Sequence, residues 1–148
     1  CPVQTDFCTL IRNIQNINFT SYENELIQGL MNIFINAKDA LANRKSEKLI
    51  IVVIKQIEDN LVIKIKDNAG GVDSSIIDKI FEPYFTTKHQ FNGTGIGLYM
   101  SKLIVEKHLI GEISVKNIDF IFNSKTYRGA LFELVLPLNI TNKKETQS

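Results

Sequence analysis

The sequence predicts an α+β fold in which one sheet is covered on one face by helices. Three observations lead there. An amphipathic helix is marked by Leu26, Leu30, Ile33, Ala37 and Leu41, which form one apolar stripe. A β-hairpin follows, from Leu49 to Lys66. A second long helix precedes closing strands between Glu112 and Leu136. The chain has 148 residues, 44% hydrophobic and 22% charged, which suits one globular domain and excludes a disordered or collagenous chain.

Taken in order, Cys1 to Phe19 shows little periodicity. Ile17 and Phe19 alternate with polar neighbours, which predicts an edge strand. Thr20-Ser21-Tyr22-Glu23 reads as a capping box, with Thr20 as N-cap, opening a helix that ends near Ala42-Asn43. Leu49–Ile57 and Leu61–Lys66 are the hairpin strands, joined at Glu58-Asp59-Asn60. Asp67-Asn68-Ala69-Gly70-Gly71 is a loop, and Asp73 caps a short helix to Ile80. Phe81 to Gly93 is a long irregular stretch, of the length that often makes a functional lid. A helix from Gly95 to His108 uses Leu98, Leu103 or Met100, Ile104 and Val105 as its apolar face. Strands are predicted over Glu112–Asn117, Asp119–Phe122 and Ala130–Leu136. The domain thus spans 1–138, and 139–148 is a polar disordered tail.

Charge and cysteine exclude several classes. Seventeen basic against sixteen acidic residues leave +1, and no like-charged block attracts nucleic acid or an anionic membrane. Cys1 and Cys8 have neither metal-knuckle nor CxxC spacing, so a reducing, cytoplasmic setting is expected. No run approaches the ~18 apolar residues that cross a bilayer. The chain starts without Met, which reads as a fragment of something longer.

Four constellations can carry chemistry. Asn32 and Asn36 share a helix face, and an Asn carbonyl is a hard oxygen ligand of the kind Mg²⁺ accepts. Alone, the pair reads equally well as two solvent-facing amides. Asp67 ends a strand ahead of Gly70-Gly71, where a carboxylate can accept from an exocyclic amine and glycines let a flat ring approach. Alone, this loop reads better as a strand-exit turn. Phe81-Glu82-Pro83-Tyr84-Phe85-Thr86-Thr87-Lys88 suggests a docking surface or hinged lid, with Lys88 able to reach a terminal phosphate. The alternative is a loop pinned to the core by Phe81 and Phe85. Gly93-Thr94-Gly95-Ile96-Gly97-Leu98 opens a helix with free amides that suit phosphate. It is not a P-loop, since no Gly-Lys-Ser/Thr follows, and no parallel βαβ unit surrounds it as a dinucleotide motif requires.

In this order, the four resemble the N, G1, F and G2 boxes of the sensor histidine kinase catalytic domain, within the ATP-binding group that includes gyrase, Hsp90 and MutL. The resemblance runs from Thr20 to Leu138. It is closest in NIFINAKDAL (Asn32–Leu41), IFEPYFTTK (Ile80–Lys88) and GTGIGLYMSKLIVEKH (Gly93–His108), and RGALFELVLP (Arg128–Pro137) resembles the family's last strand. The NAxDA and FxPxFTTK forms are similar to the nitrogen-regulation subgroup.

The resemblance implies a Bergerat-type two-layer sandwich, with a mixed, mostly antiparallel sheet and three helices on one face. It implies ATP and Mg²⁺ as cofactors. Asn36 would ligate Mg²⁺, and Asn36 and Lys88 would be the catalytic pair. Asp67 would accept from the adenine amino group, with Gly71 lining that site. The implied nucleotide-binding set is Asn32, Asn36, Asp39, Asp67, Gly71, Val72, Ile80, Thr87, Lys88, Gly93, Thr94, Gly95, Ile96, Gly97, Leu98 and Phe132. Departures from the family pattern are Asp39 where a basic residue is common, Ala69 for Gly, and Gly129-Ala130 for Gly-Thr.

Gyrase-like relatives carry a water-activating Glu four residues before the metal Asn. Asn32 stands there and takes no proton at neutral pH, which favours a kinase over an ATPase. The remaining alternative is a degenerate nucleotide-binding or docking module without transfer activity. The chain's two histidines, His89 in the lid and His108 at a helix end, do not fit an acceptor helix. The expected partners are a histidine-bearing dimerisation domain of the parent kinase and, through it, a response regulator. A monomer is expected, without nucleic-acid or membrane contact.

Overall fold

The computed structural model describes residues 8–14, 22–85 and 96–138. Thr20, Ile17, Phe19, residues 86–95 and the tail 139–148 lie outside them. Strand β1 (Cys8–Ile14) leads to helix α1 (Glu23–Leu41), then the hairpin β2 (Lys48–Ile57) and β3 (Asn60–Asp67). After a loop come helix α2 (Gly97–Leu103), extended by a π-helical segment (Ile104–His108), and a second hairpin, β4 (Glu112–Phe122) and β5 (Lys125–Pro137). The sheet order is β1-β2-β3-β5-β4. Among the described residues, only the β1–β2 pair is parallel, with α1 as the crossover. The mixed, mostly antiparallel sheet is the one expected.

The edge strand expected at Ile17 and Phe19 lies outside the described residues, and the strand described ahead of α1 is an earlier one. It is Cys8–Ile14, pairing Cys8 with Lys48 through Ile14 with Ile54. Leu10-Ile11 are adjacent and Arg12 follows, so neither phase of this strand alternates cleanly. Helix α1 starts at Glu23 with Tyr22 as N-cap, not at the capping box read from Thr20.

The apolar stripe of α1 packs as its spacing predicts. Ile33, Ala37 and Leu41 are buried, and Leu26 and Leu30 lean on the same core. That core joins them to Ile50 and Val52 of β2, Leu61, Ile63 and Ile65 of β3, and Ala130, Phe132, Leu134 and Leu136 of β5. Helix α2 and its extension add Ile104, Val105 and Leu109. The two helices touch closely: the buried Ser101 hydroxyl donates to the Gly29 carbonyl at 2.8 Å.

Three further expectations change. The helix expected over Asp73–Ile80 is a set of turns with one 3₁₀ turn, Ile77–Lys79. Asp73 Oδ1 accepts from the Ser75 amide and hydroxyl, both at 2.8 Å, a local pattern that competes with helix. These bonds hold the Asp73 carboxyl below its ordinary pKa. Among the described residues, two helices therefore cover the sheet, with the 3₁₀ turn where a third was expected. Secondly, the two short strands expected after Glu112 are one continuous strand, β4. Thirdly, β5 begins five residues earlier than its apolar run, at Lys125. Its polar start follows a tight turn in which Asn123 and Ser124 have φ of 50° and 64°, the left-handed pair that twists with a two-residue hairpin.

Candidate functional site

The site is built at the end of β3. Asp67 is 3% exposed. Its Oδ1 accepts from the Ala69 amide at 2.9 Å and from the Ala130 amide on β5 at 3.4 Å. Among the described residues, nothing bonds to Oδ2. Burial pushes the Asp67 carboxyl above its ordinary pKa, and the two amide bonds oppose that. The result is a buried carboxylate held by one oxygen with the other left for a donor.

The backbone around it explains several residue identities. A Cβ on Gly129 would overlap the Asp67 carbonyl oxygen, so only glycine lets β5 pass this close. Gly70 and Gly71 have φ of +100° and +91°, which side chains disfavour. The Gly70 amide donates to the Arg128 carbonyl at 2.9 Å. Asn68, fully buried, is a pin: its Oδ1 accepts from the Leu49 amide and its Nδ2 donates to the Glu47 carbonyl. Of the two polar side chains in "DNAGG", then, Asn68 bonds through both its oxygen and its nitrogen, and Asp67 through one oxygen only.

A second pin escaped the sequence reading. Asn117, in the middle of β4, holds both backbone polar groups of Val72. Its Oδ1 accepts from the Val72 amide at 2.7 Å, and its Nδ2 donates to the Val72 carbonyl at 2.6 Å. The available signal was an Asn in a strand, where that residue is depleted. Val72 itself is partly buried against the core.

On α1, Asn32 and Asn36 are half-buried and Asp39, one turn on, is exposed. Gln28 Nε2 donates to Asn32 Oδ1 at 3.1 Å. A Cβ on Gly97 would lie 3.8 Å from the Asn32 Cβ, so the start of α2 sits directly against Asn32. Ile96 is the N-cap of α2, and the half-buried Leu98 packs on the core. Among the described residues, nothing bonds to the Asn36 amide. That neutral oxygen fits Mg²⁺, which takes few protein ligands and completes its shell with water and phosphate. No group of three or more His, Cys, Asp or Glu among the described residues offers an alternative metal cage.

Ile80 and Phe132 lie in the core. Phe81 stands edge-on to Phe132, ring centroids 6.1 Å apart, and anchors the start of the long loop. Tyr84 in that loop is 77% exposed at φ 66°. Thr87, Lys88, Gly93, Thr94 and Gly95 lie outside the described residues. The structure therefore gathers Asp67, Gly71 and Val72 at one sheet end, and Asn32 with Gly97 where the helices meet. His108 is exposed and lines a shallow cleft with Tyr22, Glu25 and Lys107.

Comparison with known proteins gives the family and the fold. Residues 21–140 match the family of histidine kinase-, DNA gyrase B- and HSP90-like ATPases. The chain is 40% identical over 114 residues to the signal transduction histidine-protein kinase AtoS of Escherichia coli K12, covering 77% of this chain and 17% of AtoS. It is 36% identical over 118 residues to the sensor histidine kinase ZraS of the same strain, covering 80% and 23%. The chain thus spans about a fifth of the length of these relatives. Its fold is similar to the catalytic domain of histidine kinase ThkA, with a TM-score of 0.72 at 21% identity over 93% of this chain and 83% of that one. A mycobacterial sensor histidine kinase, MprB, gives 0.70 at 22% identity over 92% and 85%. The chain belongs to the histidine kinase-, DNA gyrase B- and HSP90-like ATPase family, as a catalytic ATP-binding domain of the sensor histidine kinase kind.

Proposed function

We propose that this domain binds ATP with Mg²⁺ and presents the γ-phosphate to a histidine on a separate helical domain of a longer sensor kinase. The phosphoryl group then passes from that histidine to a response regulator, on the cytoplasmic side where ATP is found. Among the described residues, no helix is long and apolar enough to cross a membrane.

The observation that carries the reading is Asp67. Oδ1 accepts from two amides, which favours one orientation of the carboxyl group and leaves Oδ2 to face a donor. A buried acceptor of this kind selects a base with an exocyclic amine, because a base lacking one leaves the carboxylate unpaired. Gly71 and Val72 then face the base ring, and Asn32 and Asn36 attend the phosphate end. When bound, Mg²⁺ would offset charge on the phosphates while Asn36 lends it one neutral oxygen. Lys88 and the Gly93–Gly97 amides complete the phosphate contacts in this reading.

Asn32 decides between transfer and hydrolysis. Its amide takes up no proton at neutral pH, so no side chain at this position acts as a base to activate water. Phosphoryl transfer to an outside imidazole needs positioning and charge neutralisation more than a base. The test is to mix the chain with γ-labelled ATP, Mg²⁺ and a histidine-bearing helical domain from a sensor kinase. Acid-labile label on that domain is expected. Label that remains with ATP, or appears only as free phosphate, would overturn transfer.

A further inference from the structure

We infer that Asn117 is a positioning residue for base recognition, holding the Gly70–Val72 turn against the edge of the sheet. The inference rests on the nucleotide reading above. Its starting point is a register pair: Asn117 on β4 lies directly opposite Ala130 on β5. The Ala130 amide holds Asp67, at the start of the loop. The Asn117 side chain holds Val72, at its end. One rung of the β4–β5 ladder therefore fixes both ends of the loop that carries the carboxylate.

The clamp at Val72 is complete. A primary amide offers a carbonyl and an N–H₂ side by side, and these meet the amide and carbonyl of one residue. The carboxamide thus imitates the edge of a neighbouring strand, and the loop is bonded to the sheet without being part of it. The close approach also constrains Gly71. A Cβ there would sit 2.7 Å from Asn117 Oδ1, so the left-handed Gly71 and the Asn117 carboxamide require each other.

Asn68 shows what a purely structural pin looks like. It ties the Glu47 carbonyl and the Leu49 amide, away from the turn. Asn117 instead sets the backbone on which the base would lie. Freed of it, Val72 has two unsatisfied backbone groups and the turn can drift from Asp67, whose own anchors remain.

The test compares Asn117→Ala and the isosteric Asn117→Asp with the unaltered chain, by melting midpoint and by calorimetric affinity for non-hydrolysable ATP and GTP analogues. An ionised Asp accepts from the Val72 amide but repels the Val72 carbonyl, so it should fail with its shape intact. Both variants should lose at least about tenfold in affinity for the ATP analogue, with a narrowed preference over the GTP analogue. Lys116→Ala, the next residue along β4, should change neither. The two analogues share ribose and triphosphate, so only displacement at the base edge moves their ratio. Unchanged affinity in both variants, or equal losses for both analogues, would overturn the positioning role and leave nucleotide binding intact. No binding by the unaltered chain would overturn the nucleotide reading and this inference with it.

Discussion

Gly129 and Asp67 meet so closely that a Cβ on the glycine would overlap the aspartate's carbonyl oxygen and stand 3.0 Å from its Oδ1. The sheet end and the carboxylate are therefore one unit. Whatever moves β5 at this point also moves the acceptor.

Gly129→Ala tests that unit. The contact is with backbone, which cannot rotate away, so β5 must shift from β3. The cost should reach about 3 kcal/mol, the upper part of the range for overpacking. A denaturant midpoint lowered at unchanged slope would show it. A midpoint equal to that of the unaltered chain would mean that the strands separate here without penalty.

Asp67→Asn should separate stability from binding. Burial raises the folded-state pKa of Asp67 above the ordinary 3.8. The stabilising contribution of its protonated form is complete below the unfolded pKa and is lost as pH rises through the folded pKa. An Asn keeps the oxygen that accepts from Ala69 and Ala130 and carries no charge. At pH 7 the variant should melt higher than the unaltered chain, and the gain should vanish below about pH 4. Its Nδ2 opposes an adenine amine, donor to donor, so ATP affinity should fall by roughly 1–3 kcal/mol. An affinity equal to the unaltered chain's would contradict the adenine assignment.

Asn36→Ala should remove the Mg²⁺ dependence of nucleotide binding. ADP affinity without metal should stay as it was, since the base contacts are elsewhere. Titrations with and without Mg²⁺ on both proteins decide this, and equal dependence in the two would take Asn36 out of the metal site.

Glu58 occupies the β2–β3 turn with φ 56° and an exposed side chain. An L-residue in that region is strained by about 1–2 kcal/mol. Glu58→Gly removes the strain and returns part of it as unfolded-state entropy, for a net gain of about 0.5–1 kcal/mol. A lower melting midpoint would show that the Glu side chain contributes more than the strain costs.

What the sequence revealed follows from the distance over which each feature is encoded. The α1 stripe at Ile33, Ala37 and Leu41 and the β2–β3 hairpin are local patterns, and both stand as read. Asp67 was legible as a candidate only through the order of the four motifs, since alone its loop reads better as a strand-exit turn. Asn117 was not, because its meaning lies in Val72, 45 residues earlier. Likewise Gly129 is explained only by Asp67 across the sheet. The strand Cys8–Ile14 was hidden because its partner, β2, is a parallel strand reached across a whole helix. The helix expected from Asp73 gave way to side-chain bonds within the turn itself. The end of α2 also departs from its pattern: the Leu109 amide bonds five residues back to the Ile104 carbonyl, a wider turn than hydrophobic spacing can announce.

The most direct test of the account is calorimetric titration of this chain with a non-hydrolysable ATP analogue, with and without Mg²⁺. The geometry at Asp67 and Asn36 predicts saturable one-to-one binding that Mg²⁺ strengthens. No heat of binding at millimolar nucleotide, under either condition, would contradict it.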